Sequence, residues 1–384
     1  MIRYRVVRLS KHHFYIFSKI RNNTMNHSYF FSLKKKDSNK IKRNVISLTL
    51  AVSTLLLVAC NQNSNNAKTP VKELESIASI NKLVIFGDSL SDNGTLRQLT
   101  STQPQPAPEF FSNGPVWPNY LSDKLGVPQV NLAVAGARSV GHDSAPLQTA
   151  AQSGAFSALG YTTGLGLRGQ VDNYINNNTA VDQQNVLHTI LIGGNDILAY
   201  LNGLVAGSEA IPSSVDVSNA IADTVTESVG RLVANGAKNI VVFTLPELSD
   251  VPRLDVSGFS DYQTEITSLI QTLNNKLVSD LNTQRVAASS PYNIITFNTY
   301  RATNNARDSG DFTNVDDSWL VVDNNLQPTG ATNGPVEEFL FWDTIHPTTA
   351  AHKMLAEQLF QTLKLQEHCL GNDNCRVSSG LGME

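Results

Sequence analysis

An α/β fold built around a parallel sheet is what the sequence predicts, and three observations carry that prediction. Five short apolar runs rich in β-branched residues recur along the chain, at 83–86, 130–133, 189–192, 239–244 and 293–297. Each is too short for a helix and lacks alternation of apolar and polar residues, as a strand buried on both faces does. Segments with apolar residues on one helical face lie between the runs, such as Ile221, Val225, Val229, Leu232 and Val233, or Ile266, Leu269, Ile270, Leu273, Leu277 and Leu281. Alternating strand and helix give a parallel sheet covered on both sides. Finally, Ser89, Gly136 and Asn195 fall just beyond three of the runs, and ligands of such sheets bind beyond the carboxyl ends of the strands.

In chain order, the first element is a targeting segment. The net charge is -4, yet residues 1–43 hold 12 of the 29 Lys and Arg and one of the 33 acids, leaving 17 bases against 32 acids in the remainder. A basic arm followed by the apolar run 45–59 reads as a secretory signal, because the run falls short of the roughly 20 residues a bilayer span needs. The arm is long for that role, which makes Met25 a candidate true start. The run ends in Leu57, Val58, Ala59 and Cys60, which resembles a bacterial lipobox, whose cysteine receives a diacylglyceryl group and becomes the new N-terminus. The Asn-rich stretch 61–66 is a polar tether. Asn61 directly after the cysteine, in the Gram-negative sorting rule that this motif resembles, favours the outer membrane.

The expected organisation is therefore a signal peptide over 1–59, a lipidated Cys60 and tether over 60–79, one domain over 80–365 and a tail over 366–384, in an exported cell-envelope lipoprotein. With Cys60 acylated, Cys369 and Cys375 remain as one candidate disulfide pair in an oxidising compartment. Two cysteines beside His368 supply too few ligands for zinc. The stretch 80–365 exceeds the usual domain size, but its chemically distinctive segments lie at opposite ends and must meet, so one domain is the economical reading. Irregular insertions are expected at 98–118, 142–169 and 301–335, long enough to shape a site. The acidic stretch from Asp308 to Asp317 lacks EF-hand spacing and reads as a solvated loop. There is no internal repeat, no nucleotide-binding glycine loop and no basic patch in the mature part, so no nucleic-acid partner is expected.

The chemistry resides in a few segments. Ser89 follows Gly87 and Asp88 at a strand end, where a flexible glycine lets the chain turn and the hydroxyl face a cleft. A serine hydroxyl is a weak nucleophile until a base takes its proton. His346 is the candidate base, and Asp343, three residues earlier, would hold its ring in the right tautomer and stabilise the imidazolium. Pro347 fixes the backbone behind it, and Ala351, Met354, Leu355, Leu359 and Leu363 mark an anchoring helix. Three donors are placed to meet an oxyanion: the Ser89 N–H, the Gly136 N–H and the Asn195 side-chain amide. Loss of one such donor costs ~3 kcal/mol in the barrier.

These segments resemble the sequence blocks of the GDSL family of the SGNH-hydrolase superfamily over residues 81–365. Ser89 matches the serine of the first block, Gly136 the glycine of the second, Asn195 the asparagine of the third, and His346 with Asp343 the last. The stretch 111–117, Phe-Ser-Asn-Gly-Pro-Val-Trp, further resembles the branch containing secreted phospholipases, lecithinases and acyltransferases. The resemblance implies a flavodoxin-like three-layer α/β/α sandwich and hydrolysis of carboxylic esters without metal or cofactor. Unlike autotransporter esterases of that branch, the chain ends soon after the last catalytic helix, so anchoring is expected through Cys60 and not through a β-barrel.

Each motif has a plainer reading. Gly-Asp-Ser and Gly-Gly-Asn-Asp are good turns, and Asp-x-x-His-Pro is a good helix start; only their joint occurrence in this order, the first two after strands, carries catalytic weight. Asp88 and Asp196 are expected to satisfy turn amides, His142 and His188 to be structural or solvent-facing, and Trp117 and Trp342 to pack beneath the site. Phe110, Phe111, Val116 and Trp117 either line an acyl groove or belong to the core. The leading expectation is a serine ester hydrolase, lysophospholipase-like, that cleaves lipid-type esters through an acyl-serine and reaches the membrane through Cys60. The same triad also suits an acyltransferase or a carbohydrate O-acetylesterase, and an intact triad argues against a non-catalytic envelope lipoprotein.

Overall fold

The computed structural model describes residues 79–101, 108–140, 164–178, 182–255, 258–288, 292–323 and 328–369, together with the backbone of three strands near the N-terminus. Cys60 and Cys375 lie outside the described residues, and Cys369 is described only as the backbone end of the last helix. The expected signal run, lipidation site and disulfide therefore fall outside the described side chains.

The chain divides into two compact units, Met1–Pro70 and Val71–Glu384. In the first, β1 (Ile2–Ser10), β2 (His13–Asn22) and β3 (Met25–Lys34) form an antiparallel sheet in that order. The basic arm was not expected to form strands. Its bases are interleaved with Val6, Val7, Tyr15, Ile16 and Phe17, a composition that suits a pleated ribbon.

The second unit is organised by five parallel strands: β4 (Lys82–Gly87), β5 (Gln129–Asn131), β6 (Val186–Leu191), β7 (Asn239–Phe243) and β8 (Asn293–Phe297). All five expected runs are strands, in the spatial order β5-β4-β6-β7-β8. The flavodoxin-like order reverses between the first and third strands of the unit, β4 and β6, and ligands bind at that switch point beyond the carboxyl ends. The strands before Ser89 and Asn195 are the two that flank it.

Two-sided burial explains why the sheet has a helical layer on each face. Leu83, Val84, Ile85 and Phe86 are all fully buried, but their side chains alternate. Val84 and Phe86 join one core with Ile190 and Val242, while Leu83 and Ile85 join another with Leu191 and Val241. The first core is closed by α3 (Leu167–Asn177), α4 (Gly194–Val205), α5 (Ser214–Ala234) and α7 (Gln263–Ala287), following α1 (Thr95–Leu99) and α2 (Trp117–Leu125) in the chain. The second is closed by Trp117 and Leu121 of α2 and by Ala356, Leu359 and Leu363 of α9 (Thr349–Cys369). The result is a three-layer α/β/α sandwich. The apolar stripes read for α5 and α7 are buried as expected, except Val233, which is half-buried at the end of α5. Two-sided burial weakens at the two sheet edges: Val130 of β5 is 41% exposed, and Ile294 of β8 is half-buried.

The segment 301–335 is more ordered than an irregular insertion. It holds most of α8 (Thr299–Asp308), then β9 (Asn314–Ser318), β10 (Leu320–Val322) and β11 (Pro328–Thr332). β10 pairs with β11, and β9 pairs in parallel with the buried β12 (Phe339–Phe341). β9 carries Asp316 and Asp317 and has no apolar period of its own; its partner supplies the order. Arg307 bonds the Asp316 carboxylate and donates to the Val315 carbonyl at 2.9 Å, so a cation of the chain itself ties the acidic stretch down.

Candidate active site

The end of β4 approaches β6 so closely that a Cβ on Gly87 would meet the Leu191 carbonyl oxygen at 2.5 Å, which is why only glycine fits there. The Gly87 peptide is gripped by Gln170 of α3: its Oε1 accepts the Gly87 N–H at 2.8 Å, and its Nε2 donates to the Gly87 and Leu165 carbonyls, each at 2.8 Å. Gln170 is fully buried. A lone glutamine carries no signal in the sequence, and the motif reading missed it. Beyond Gly87, Asp88 accepts the Leu90 N–H at 3.1 Å. Ser89 is buried to 9% exposure.

Asp92 links this turn to the next strand end. Its carboxylate accepts the N–H groups of Gly94, Thr95 and Leu96 and, at 2.8 Å, that of Ala135. Gly136 follows with φ +83°, a left-handed conformation that favours glycine. The N–H groups of Val134, Ala135 and Ala137 are all engaged, whereas neither the Ser89 nor the Gly136 N–H has a protein acceptor among the described residues. At the end of β6, the Asn195 amide donates to the Ala137 carbonyl at 2.9 Å, which fixes the plane of its Nδ2 and leaves a second N–H on it. Asp196 staples the same loop by accepting the Ser139 and Val140 N–H groups, each at 2.9 Å. Asp88 and Asp196 thus bond turn amides, as the plain reading expected.

His346 comes to Ser89 from 257 residues away, with Nε2 2.8 Å from Oγ. Its Nδ1 is 2.7 Å from Asp343 Oδ2, and Asp343 Oδ1 accepts the N–H groups of Ile345 at 2.8 Å and His346 at 2.7 Å. An ionised Asp343 only accepts, so Nδ1 carries the proton and Nε2 faces the Ser89 hydroxyl as acceptor. The 111–117 segment braces this turn. Ser112 donates to the Pro347 carbonyl at 2.9 Å, Asn113 accepts the Thr349 N–H at 2.8 Å, and the Phe111 and His346 ring centroids lie 5.5 Å apart. Val116 and Trp117 are fully buried, and the Trp117 indole N–H donates to Ser91 at 3.1 Å. They are core, not an acyl groove.

Burial opposes charge on every group here, and partners reverse its effect on Asp343 and His346. Burial alone would raise Asp343, but the His346 imidazolium and three hydrogen bonds hold it below the ordinary carboxylate value. Burial would lower His346, but the Asp343 charge and hydrogen bond, joined by the Asp88 charge, lift it above the ordinary histidine value. Asp88 is pushed up to about 7 by burial. His188 is a core residue, pushed down to about 4 by burial and 3.3 Å from the Tyr174 hydroxyl. His142 lies outside the described residues.

A cavity of about 150 Å³ has Ser89 and His346 in its wall. Its other walls are mostly apolar and include Leu201, Leu248, Val251, Leu254, Ala306 and Phe341. They come from α4, from the loop after β7 with the short helix α6 (Pro252–Asp255), from α8 and from β12. None of Phe110, Phe111, Val116 and Trp117, for which the sequence left an acyl groove or the core open, lines the cavity. The apolar residues of 245–254 were the available signal, but scattered apolar residues in a loop read as ordinary core.

A serine hydroxyl held against an imidazole–carboxylate pair, beside unengaged amide N–H groups at the switch point of a parallel sheet, is the arrangement by which serine hydrolases act. The chain belongs to the GDSL-like Lipase/Acylhydrolase family, which matches residues 83–359. It is 29% identical over 303 residues to the thermolabile hemolysin of Vibrio parahaemolyticus, covering 74% of this chain and 64% of that protein. It is 25% identical over 332 residues to the phosphatidylcholine-sterol acyltransferase of Aeromonas hydrophila, covering 75% of this chain and 91% of that protein. A GDSL esterase/lipase of Arabidopsis thaliana is 24% identical over 315 residues, covering 73% and 87%.

Proposed function

We propose that this protein hydrolyses lipid-type carboxylic esters through an acyl-serine intermediate, with Ser89 as nucleophile, His346 as general base and acid, and Asp343 as the group that orients and stabilises His346. Ser89 Oγ attacks the ester carbonyl as its proton passes to His346 Nε2. The oxyanion is met by the N–H groups of Ser89 and Gly136 and by the Asn195 amide. Collapse expels the alcohol, protonated by His346, and leaves the acyl group on Ser89. Water, activated by His346, then attacks the acyl carbon and frees the acid.

The observation that carries the lipid reading is the apolar cavity with Ser89 in its wall. The names of two relatives, a hemolysin and a phosphatidylcholine-sterol acyltransferase, favour it as well. Because the acyltransferase relative is matched over 91% of its length, an alcohol in place of water as final acceptor is the second reading. A series of p-nitrophenyl esters tests the acyl site. Each buried methylene contributes up to ~0.8 kcal/mol, about fourfold in kcat/KM, until the cavity is full. Efficiency should climb from acetate to medium chains, and Ala306→Leu should penalise the longer esters more than acetate. Acetate as the best substrate would replace this reading with the O-acetylesterase.

A further inference from the structure

Beyond the catalytic groups, Glu247, Thr299, Thr303, His352 and Gln358 interrupt the apolar walls of the cavity, and two of these side chains hold buried polar atoms with no hydrogen-bond partner among the described residues. His352 is 1% exposed, and neither of its ring nitrogens has a hydrogen-bond partner among the described residues. It lies one turn before Ala356, Leu359 and Leu363, the face by which α9 packs on the sheet, so an apolar residue would serve the packing better. Thr299, the first residue of α8, is 3% exposed; its N–H is taken by Thr244 at 3.0 Å, but its own hydroxyl has no partner among the described residues. His352 and Thr299 both line the cavity that also holds Ser89 and His346.

Buried polar groups are hydrogen-bonded as a rule, and unpaired ones mark a strained or functional place. Burial holds His352 neutral, with its pKa pushed down to about 3. A neutral imidazole offers one donor and one acceptor, and a threonine hydroxyl offers both. The complementary group is therefore one that donates and accepts at a single atom and can enter an apolar cavity on a hydrocarbon chain. We propose that His352 and Thr299 form a polar subsite that selects acyl chains bearing a hydroxyl group, which exchanges hydrogen bonds with both side chains while the rest of the chain lies against the apolar wall. A plain chain of the same length would leave these groups unpaired, and sites built around a substrate hydroxyl discriminate strongly against analogues that lack it. The inference rests on the reading of this cavity as the acyl site.

The test uses p-nitrophenyl decanoate and its monohydroxy analogues, with the hydroxyl moved along the chain and the γ and δ positions, which lactonise, left out. One position should exceed the plain ester in kcat/KM by about tenfold or more. His352→Leu and Thr299→Val should each bring that ratio toward one, and His352→Gln, whose amide donates and accepts, should retain part of it. Thr299→Val, which exchanges a hydroxyl for a methyl, decides the matter if His352→Leu fails to fold. A climb with chain length but no preferred hydroxyl position, or a preference that survives both variants, overturns the hydroxyl subsite alone. A profile flat in chain length overturns the acyl-site reading and this inference with it.

Discussion

His346 is the residue on which opposing forces meet. Burial disfavours its imidazolium, and Asp343 and Asp88 together more than restore it. A general base works only when neutral, so activity is lost as pH falls through the pKa of His346. That pKa is raised, so the midpoint of the acid limb of kcat/KM should lie above the ordinary histidine value of about 6.5. Asp343→Asn removes the charge and one of the two acceptor oxygens, and Asp88→Asn removes a nearby carboxyl whose pKa of about 7 leaves it charged in part near neutral pH. Each should move the midpoint down, the first with a large loss of kcat and the second with a smaller one. A rate flat between pH 5 and 8 would contradict a histidine base. Ser89, Asn195, Asp343 and His346 were legible in the sequence because each sits in a short block with a required chemistry. Gln170 and His352 were not, since neither a lone glutamine nor a lone histidine on an apolar helix face announces what it meets.

Among the elements, the strands that form the sheet were legible because burial on both faces removes polar residues from them. The pieces that escaped, β9, β10 and β11, are polar or half-exposed and owe their order to pairing. The contact that best couples an element to the site is α3 on β4, through Gln170 and the Gly87 peptide. Gln170→Leu would leave the buried Gly87 N–H and the Gly87 and Leu165 carbonyls without their side-chain partner, at about 1–3 kcal/mol for a group left unsatisfied. Denaturant unfolding should show a loss in that range or above. Because Gly87 sets the turn that presents Ser89, kcat should fall as well, with a smaller change in KM. Unchanged stability would mean that the Gly87 peptide is held by something else.

For the whole molecule, the fold class followed from the alternation of runs and stripes, but the cavity did not, because its walls come from α4, the loop after β7, α8 and β12, pieces that only the three-dimensional fold assembles. Location rests on the sequence alone. The proposed anchor on Cys60 predicts that Cys60→Ser moves the exported protein from the membrane fraction to the soluble one, and unchanged membrane association would reject it. In the proposed mechanism the nucleophile is Ser89, activated across 257 residues of chain by His346. This role of Ser89 is tested most directly by reaction with a fluorophosphonate followed by peptide mapping. A single adduct is expected on the peptide containing Ser89, and in Ser89→Ala no adduct and ester hydrolysis reduced by ~10³-fold or more. An adduct on another serine, or a Ser89→Ala variant that turns over esters like the unmodified protein, would contradict it.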